Sequence, residues 1–152
     1  MSEFTDRLQQ CLVRLDLRGE DAAAVVGELL DALIGAQALA ADDREAVLQA
    51  VLRREECLST AVADGVAFPH VRTDVTAALF VPVIGIHRQG VAFGAPDGLP
   101  TRLFVLMVVT PAAAGTYMRM LAGFARQLDQ APVRERVLAA ADPEAVRAAL
   151  RS

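Results

Sequence analysis

Residues 103–109 read LFVLMVV, seven apolar positions between Arg102 and the stop Thr110-Pro111. The run is too short for a buried helix and rich in β-branched residues, so it reads as a strand covered on both faces. A strand of that kind needs a packing layer on each side of its sheet. The fold therefore depends on what the flanking segments can supply.

Downstream, helical spacing returns. Met120, Leu121, Phe124 and Leu128 form the apolar face of a helix over about 116–127. Pro132 is placed for the first position of a second helix, and Asp142-Pro143 supplies an N-cap and an N1 proline for a third. Upstream, HRQGVAFGAPDGLP holds a short strand at 91–93 and a Pro-Asp-Gly turn. The nearly continuous apolar run AALFVPVIG, 77–85, reads as another covered strand, with Pro82 pointing to an edge position or a bulge.

Nearer the start, Val13, Leu15 and Leu17 alternate with Arg14 and Asp16, the period of a half-buried strand. Val25, Val26, Leu29, Leu30, Leu33 and Ile34 recur at helical spacing and give an amphipathic helix over about 21–37. Asp42 with Glu45 resembles a capping box opening a second helix, which carries Val47, Leu48, Val51 and Leu52 and ends at Arg53-Arg54-Glu55-Glu56. The order is one strand, two helices, several strands and three helices. This predicts a single α/β domain over 1–152, a three-layer α/β/α sandwich with a small mixed sheet between helical layers.

A chain of 152 residues can bury a sizeable core. Apolar residues make up 54% and aromatics only 5%, so that core is built from Ala, Val and Leu. A net charge of −4 argues against nucleic acid as the main partner, because phosphate neutralisation needs a basic face. No apolar run approaches the ~20 residues that span a bilayer. The opening MSEFTDRLQQ lacks the layout of a secretory signal, so a cytoplasmic location is expected. Cys11 and Cys57 match no metal-ligand spacing and read as free, buried thiols.

Chemistry concentrates in DGVAFPHVR, residues 64–72. An apolar pulse runs into Pro69 and delivers His70, one of two histidines. A neutral imidazole is a good nucleophile toward phosphorus and carbonyl carbon. Pro69 fixes its own φ and keeps Phe68 out of helical geometry, so the joint can hold His70 rigidly at a sheet edge. On these residues alone, a nucleophile and an ordinary loop histidine are both open. A phosphoryl group there would need a cation, hydroxyls and backbone N–H groups. Arg54, Ser59 and Thr60 lie a short loop upstream, with a solvated helix-end arginine and plain turn chemistry as the alternatives. His87 reads as a loop residue, and Asp97-Gly98 as a turn. No zinc ligand set, P-loop, nucleophile elbow or dinucleotide fingerprint is present.

Read from Arg54 to His70, the chain gives R-E-x-x-x-S-T-x-x-x-x-G-V-A-F-P-H. This closely resembles the signature of the mannitol/fructose class of enzyme IIA of the bacterial sugar phosphotransferase system, which includes the nitrogen-regulatory enzyme IIA branch. LVRLDLRGEDAAAVVGELLDALI resembles that family's opening. VAFGAPDGLPTRLFVLMVVTP, with M-L-A in the following helix, resembles its later half.

The resemblance implies the same α/β/α sandwich and a phosphoryl carrier. His70 would accept a phosphoryl group, through Nε2, from the phosphocarrier protein HPr or a nitrogen-branch HPr paralogue. It would then hand the group to an enzyme IIB. Arg54 would steady the phosphoryl group, with Ser59 and Thr60 lining its pocket. No metal or organic cofactor is implied, and the membrane enters only indirectly, through the sugar permease. One departure stands out. Where many members carry a second active-site histidine, aligning M-L-A places Tyr117, which can donate a hydrogen bond but not carry a positive charge at neutral pH. The alternative reading is a regulatory module of the nitrogen branch. It would dock on a transporter, kinase or transcriptional regulator, with phosphorylation as a switch or lost.

Overall fold

The computed structural model describes residues 2–74 and 80–151. In chain order its elements are α1 (Glu3–Leu8), β1 (Leu12–Arg14), α2 (Ala22–Gly35), α3 (Arg44–Cys57), β2 (Val66–Ala67) and β3 (His70–Arg72). They continue with β4 (Val83–Val91), β5 (Thr101–Val109), α4 (Ala114–Leu128), α5 (Ala131–Ala139) and α6 (Pro143–Arg151). The sheet runs β1-β4-β5-β2, and β3 also pairs with β5. Among the named strands the β4–β5 pair is antiparallel; β1 on β4, and both β2 and β3 on β5, are parallel. The sheet is mixed, as expected.

LFVLMVV is the central ladder strand, buried along its length. Leu103, Val105, Met107 and Val109 face a core built with α1, α4, α5 and α6. Phe104, Leu106 and Val108 face a second core built with α2 and α3. The period of two thus sends one strand's side chains into both layers, and each fully buried large residue contributes about 1.5–3 kcal/mol. Gly85 of β4 is part of the α2 side, because a Cβ there would lie 2.7 Å from both Leu17 and Leu29 side-chain atoms.

Several expectations shift. The runs at 77–85 and 91–93 are not two strands. Val83–Val91 is one strand, interrupted by a register shift between Ile86 and Val91. Ala77, Ala78 and Leu79 lie outside the described residues. Pro82 occupies neither an edge nor a bulge: it precedes a strand flanked on both sides, and its carbonyl accepts from Leu12 N–H at 3.0 Å. The irregularity sits further on, where Gly90 takes a positive φ of 83°. The capping box does not form. A 3-10 turn at Ala41–Asp43 runs directly into α3, so Asp43 at the cap keeps helical φ/ψ and makes no side-chain cap. Glu45 instead accepts from Gln49 at 3.0 Å.

Val13 of β1 and Leu15 just after it pack toward α4–α6 while Leu17 joins the opposite core, so the alternation ends after Leu15. Pro132 is the second residue of α5 rather than its first. Asp142 caps α6 as expected, accepting from Ala145 N–H at 2.7 Å. The cysteines are free; Cys11 is buried, but Cys57, at the end of α3, is exposed. The short α1 was not expected. It docks because Gly123 of α4 leaves space for the Phe4 ring, which meets Phe124 edge-on at 5.1 Å. Among the described residues no helix is long and apolar enough to cross a membrane.

Candidate active site

β2 and β3 are one strand broken by Phe68-Pro69. Both halves pair with β5, and across the break Pro69 still accepts from Met107 N–H at 3.0 Å. Phe68 leaves the ladder, its N–H donating instead to the Thr60 carbonyl at 3.3 Å. The Phe68 carbonyl is thereby available to the imidazole that follows. His70 Nδ1 lies 3.0 Å from it. A carbonyl only accepts, so Nδ1 carries the hydrogen and Nε2 keeps its lone pair. Among the described residues Nε2 makes no hydrogen bond.

The His70 ring is half-buried and lies beside Tyr117 of α4, with ring centroids 5.5 Å apart and planes inclined at 34°. Tyr117 is 5% exposed and belongs to the α4 core. Burial raises its phenol pKa above the ordinary value, while the positive charges of Arg72 and Arg54 pull it the other way. Arg54, in the last turn of α3, donates from Nη1 to the Leu58 carbonyl at 2.9 Å, closing the helix end.

Ser59 and Thr60 are held within the loop. Ser59 Oγ donates to the Phe93 carbonyl at 2.5 Å and accepts from Ala61 N–H at 3.0 Å. The Glu55 carboxylate takes both the Thr60 hydroxyl and, at 3.0 Å, the Thr60 N–H. An Ala61–Ala67 bridge and the Val62 N–H bond to the Val66 carbonyl strap this loop along β2. The structure thus sets the His70 and Tyr117 rings side by side, and the Arg54 charge bears on Tyr117. The Ser59 and Thr60 hydroxyls are engaged by Phe93 and Glu55 rather than by His70.

Two neighbours of these residues escaped the sequence reading. Glu55 stands inside the quoted pattern, yet its hold on Thr60 has no linear signature. Arg72 was legible in principle, because a strand places residues two apart on one face. His87 is a correction. It is a buried residue of β4, not a loop residue. Its Nδ1 accepts from Gly90 N–H at 2.9 Å and its Nε2 donates to the Gly19 carbonyl at 2.8 Å, fixing the neutral ring across the bulge. Among the described residues no three His, Cys, Asp or Glu side chains gather as a metal site requires.

Comparison with known proteins gives a consistent family. Residues 7–152 match the model described as "Phosphoenolpyruvate-dependent sugar phosphotransferase system, EIIA 2". The fructose-specific EIIA component of Haloferax volcanii is 36% identical over 108 residues, covering 69% of this chain and 68% of that one. The fructose-specific EIIABC component of Bacillus subtilis is 28% identical over 146 residues, 95% of this chain. The chain spans only 22% of that longer relative. Among solved structures, the nitrogen regulatory protein IIA-Ntr of Neisseria meningitidis superimposes with a TM-score of 0.82 at 27% identity, covering 98% of this chain and 99% of that one.

Proposed function

The chain belongs to the EIIA 2 family of the phosphoenolpyruvate-dependent sugar phosphotransferase system, and from that premise we propose that His70 is its phosphoryl acceptor. The observation that carries the reading is the His70 Nδ1–H bond to the Phe68 carbonyl, which leaves the Nε2 lone pair as nucleophile. Nε2 attacks the phosphorus carried by HPr or a nitrogen-branch HPr paralogue. The new N–P bond forms as the donor's bond to phosphorus breaks, and the electron pair leaves with the donor. Transfer of this kind needs positioning and neutralisation of charge spread over three oxygens, with little covalent help.

Tyr117 donates its O–H to one of those oxygens, and Arg54 opposes their charge. Ser59 and Thr60 shape the pocket loop, which Glu55 and Phe93 hold in place. The phosphorylated chain then passes the group to an enzyme IIB in the cytoplasm. The Bacillus subtilis relative, whose name joins A, B and C components, supports that hand-on.

A second reading is favoured by the Neisseria meningitidis likeness. There the chain is a regulatory module that docks on a transporter, kinase or regulator according to its phosphorylation. The readings separate on mixing the phosphorylated chain with enzyme IIB. A carrier loses its label to IIB within seconds, whereas a regulatory module keeps it.

A further inference from the structure

β3 presents His70 and Arg72 on one side of the sheet, because residues two apart in a strand share a face. Val71 between them is 7% exposed and points into the opposite core with α2 and α3. Arg72 therefore stands on the α4 side with His70 and with Tyr117, whose ring meets the imidazole. The Arg72 side chain is exposed, and among the described residues it makes no ion pair or hydrogen bond. Most comparable guanidinium groups are engaged. Arg54 holds the Leu58 carbonyl, Arg119 pairs with Glu3, and Arg134 with Asp64. Arg72 borders an opening of about 280 Å³, with Thr73, Asp74, Val109, Thr110 and Ala114, where β3 and β5 end and α4 begins. Among the described residues Asp74 is the one carboxylate on that lining, no ion pair joins it to Arg72, and the lining includes neither His70 nor Tyr117.

We propose that Arg72 is a phosphoryl-binding residue of this site, supplying from β3 the positive charge that Tyr117 does not carry. The inference rests on the reading of His70 as acceptor and deepens it. As Nε2 bonds to phosphorus and the donor's bond breaks, negative charge is shared by three oxygens. A guanidinium stays protonated throughout and offers a fork of N–H donors to two of them. Arg72 also acts on the Tyr117 phenol more strongly than Arg54 does, consistent with a place close to the rings.

The test is the single-turnover rate of phosphotransfer from phosphorylated HPr, measured against HPr concentration for wild type, Arg72→Ala and Arg72→Lys. We expect Arg72→Ala to lower the saturating rate at least about tenfold with little change in half-saturation, and Arg72→Lys to restore part of it. Because Arg72 is exposed, thermal unfolding of each variant should match wild type. An unchanged saturating rate in Arg72→Ala overturns the proposal and leaves the His70 reading intact. A change confined to half-saturation also overturns it, assigning Arg72 to HPr docking. If wild type itself takes no label, the reading of His70 fails and this proposal falls with it.

Discussion

The Tyr117 ring lies 5.5 Å from the His70 ring, centroid to centroid, with the two planes inclined at 34°. The two rings come from separate elements, one from a strand broken by proline and the other from the first turns of α4. Tyr117 therefore does two jobs. It packs the α4 core and borders the His70 imidazole.

Its hydroxyl can be tested apart from its packing. Tyr117→Phe keeps the ring and removes the donor, and we expect phosphotransfer from phosphorylated HPr to slow about tenfold, the worth of one hydrogen bond made in the transition state. Tyr117→His should change the rate by less than that in either direction. A gain of about a hundredfold in the histidine variant would instead mark a carrier that had lost its partner.

The buried central strand was legible; the resumption of the strand after Phe68-Pro69 and the local bonds around it were not. LFVLMVV announced a strand covered on both faces, and its alternating residues do fill two cores. Pattern failed where a tertiary contact decided the outcome. The six residues of α1 are too few to show a period, and they are held by a cleft over Gly123 that no local signal reveals. Asp42 and Glu45 satisfy the capping pattern, but the preceding 3-10 turn denies the cap its extended backbone. Near His70, the Ala61–Ala67 bridge lays the loop that carries Ser59 and Thr60 along β2, a tertiary pairing that the linear spacing does not reveal.

His87 illustrates the same limit, since polar neighbours in sequence concealed a buried ring. Its bonds to the Gly19 carbonyl and Gly90 N–H hold the bulge of β4. His87→Ala leaves both backbone groups without that partner and should destabilise the protein by about 1–3 kcal/mol, measured by urea unfolding. Phosphotransfer by the folded fraction should stay at the wild-type rate, because the ring's partners, Gly19 and Gly90, are not residues of the proposed site.

The cysteines give a pH test. Burial pushes the Cys11 thiol up from an ordinary 9.0 to about 12, against the smaller pull of Arg147 and Arg7. The folded state therefore holds a proton that the unfolded state releases above pH 9. The stability this contributes is complete below about pH 9 and is lost as pH rises toward 12. Urea midpoints should fall more steeply across pH 9–11 in wild type than in Cys11→Ala. At neutral pH a maleimide should label the exposed Cys57 and spare Cys11 until the chain unfolds.

The central claim is that His70 Nε2 takes the phosphoryl group, and labelling tests it most directly. Purified chain incubated with phosphorylated HPr should acquire one phosphate that is acid-labile and base-stable, and His70→Ala should acquire none. Equal labelling of His70→Ala and wild type would contradict the account.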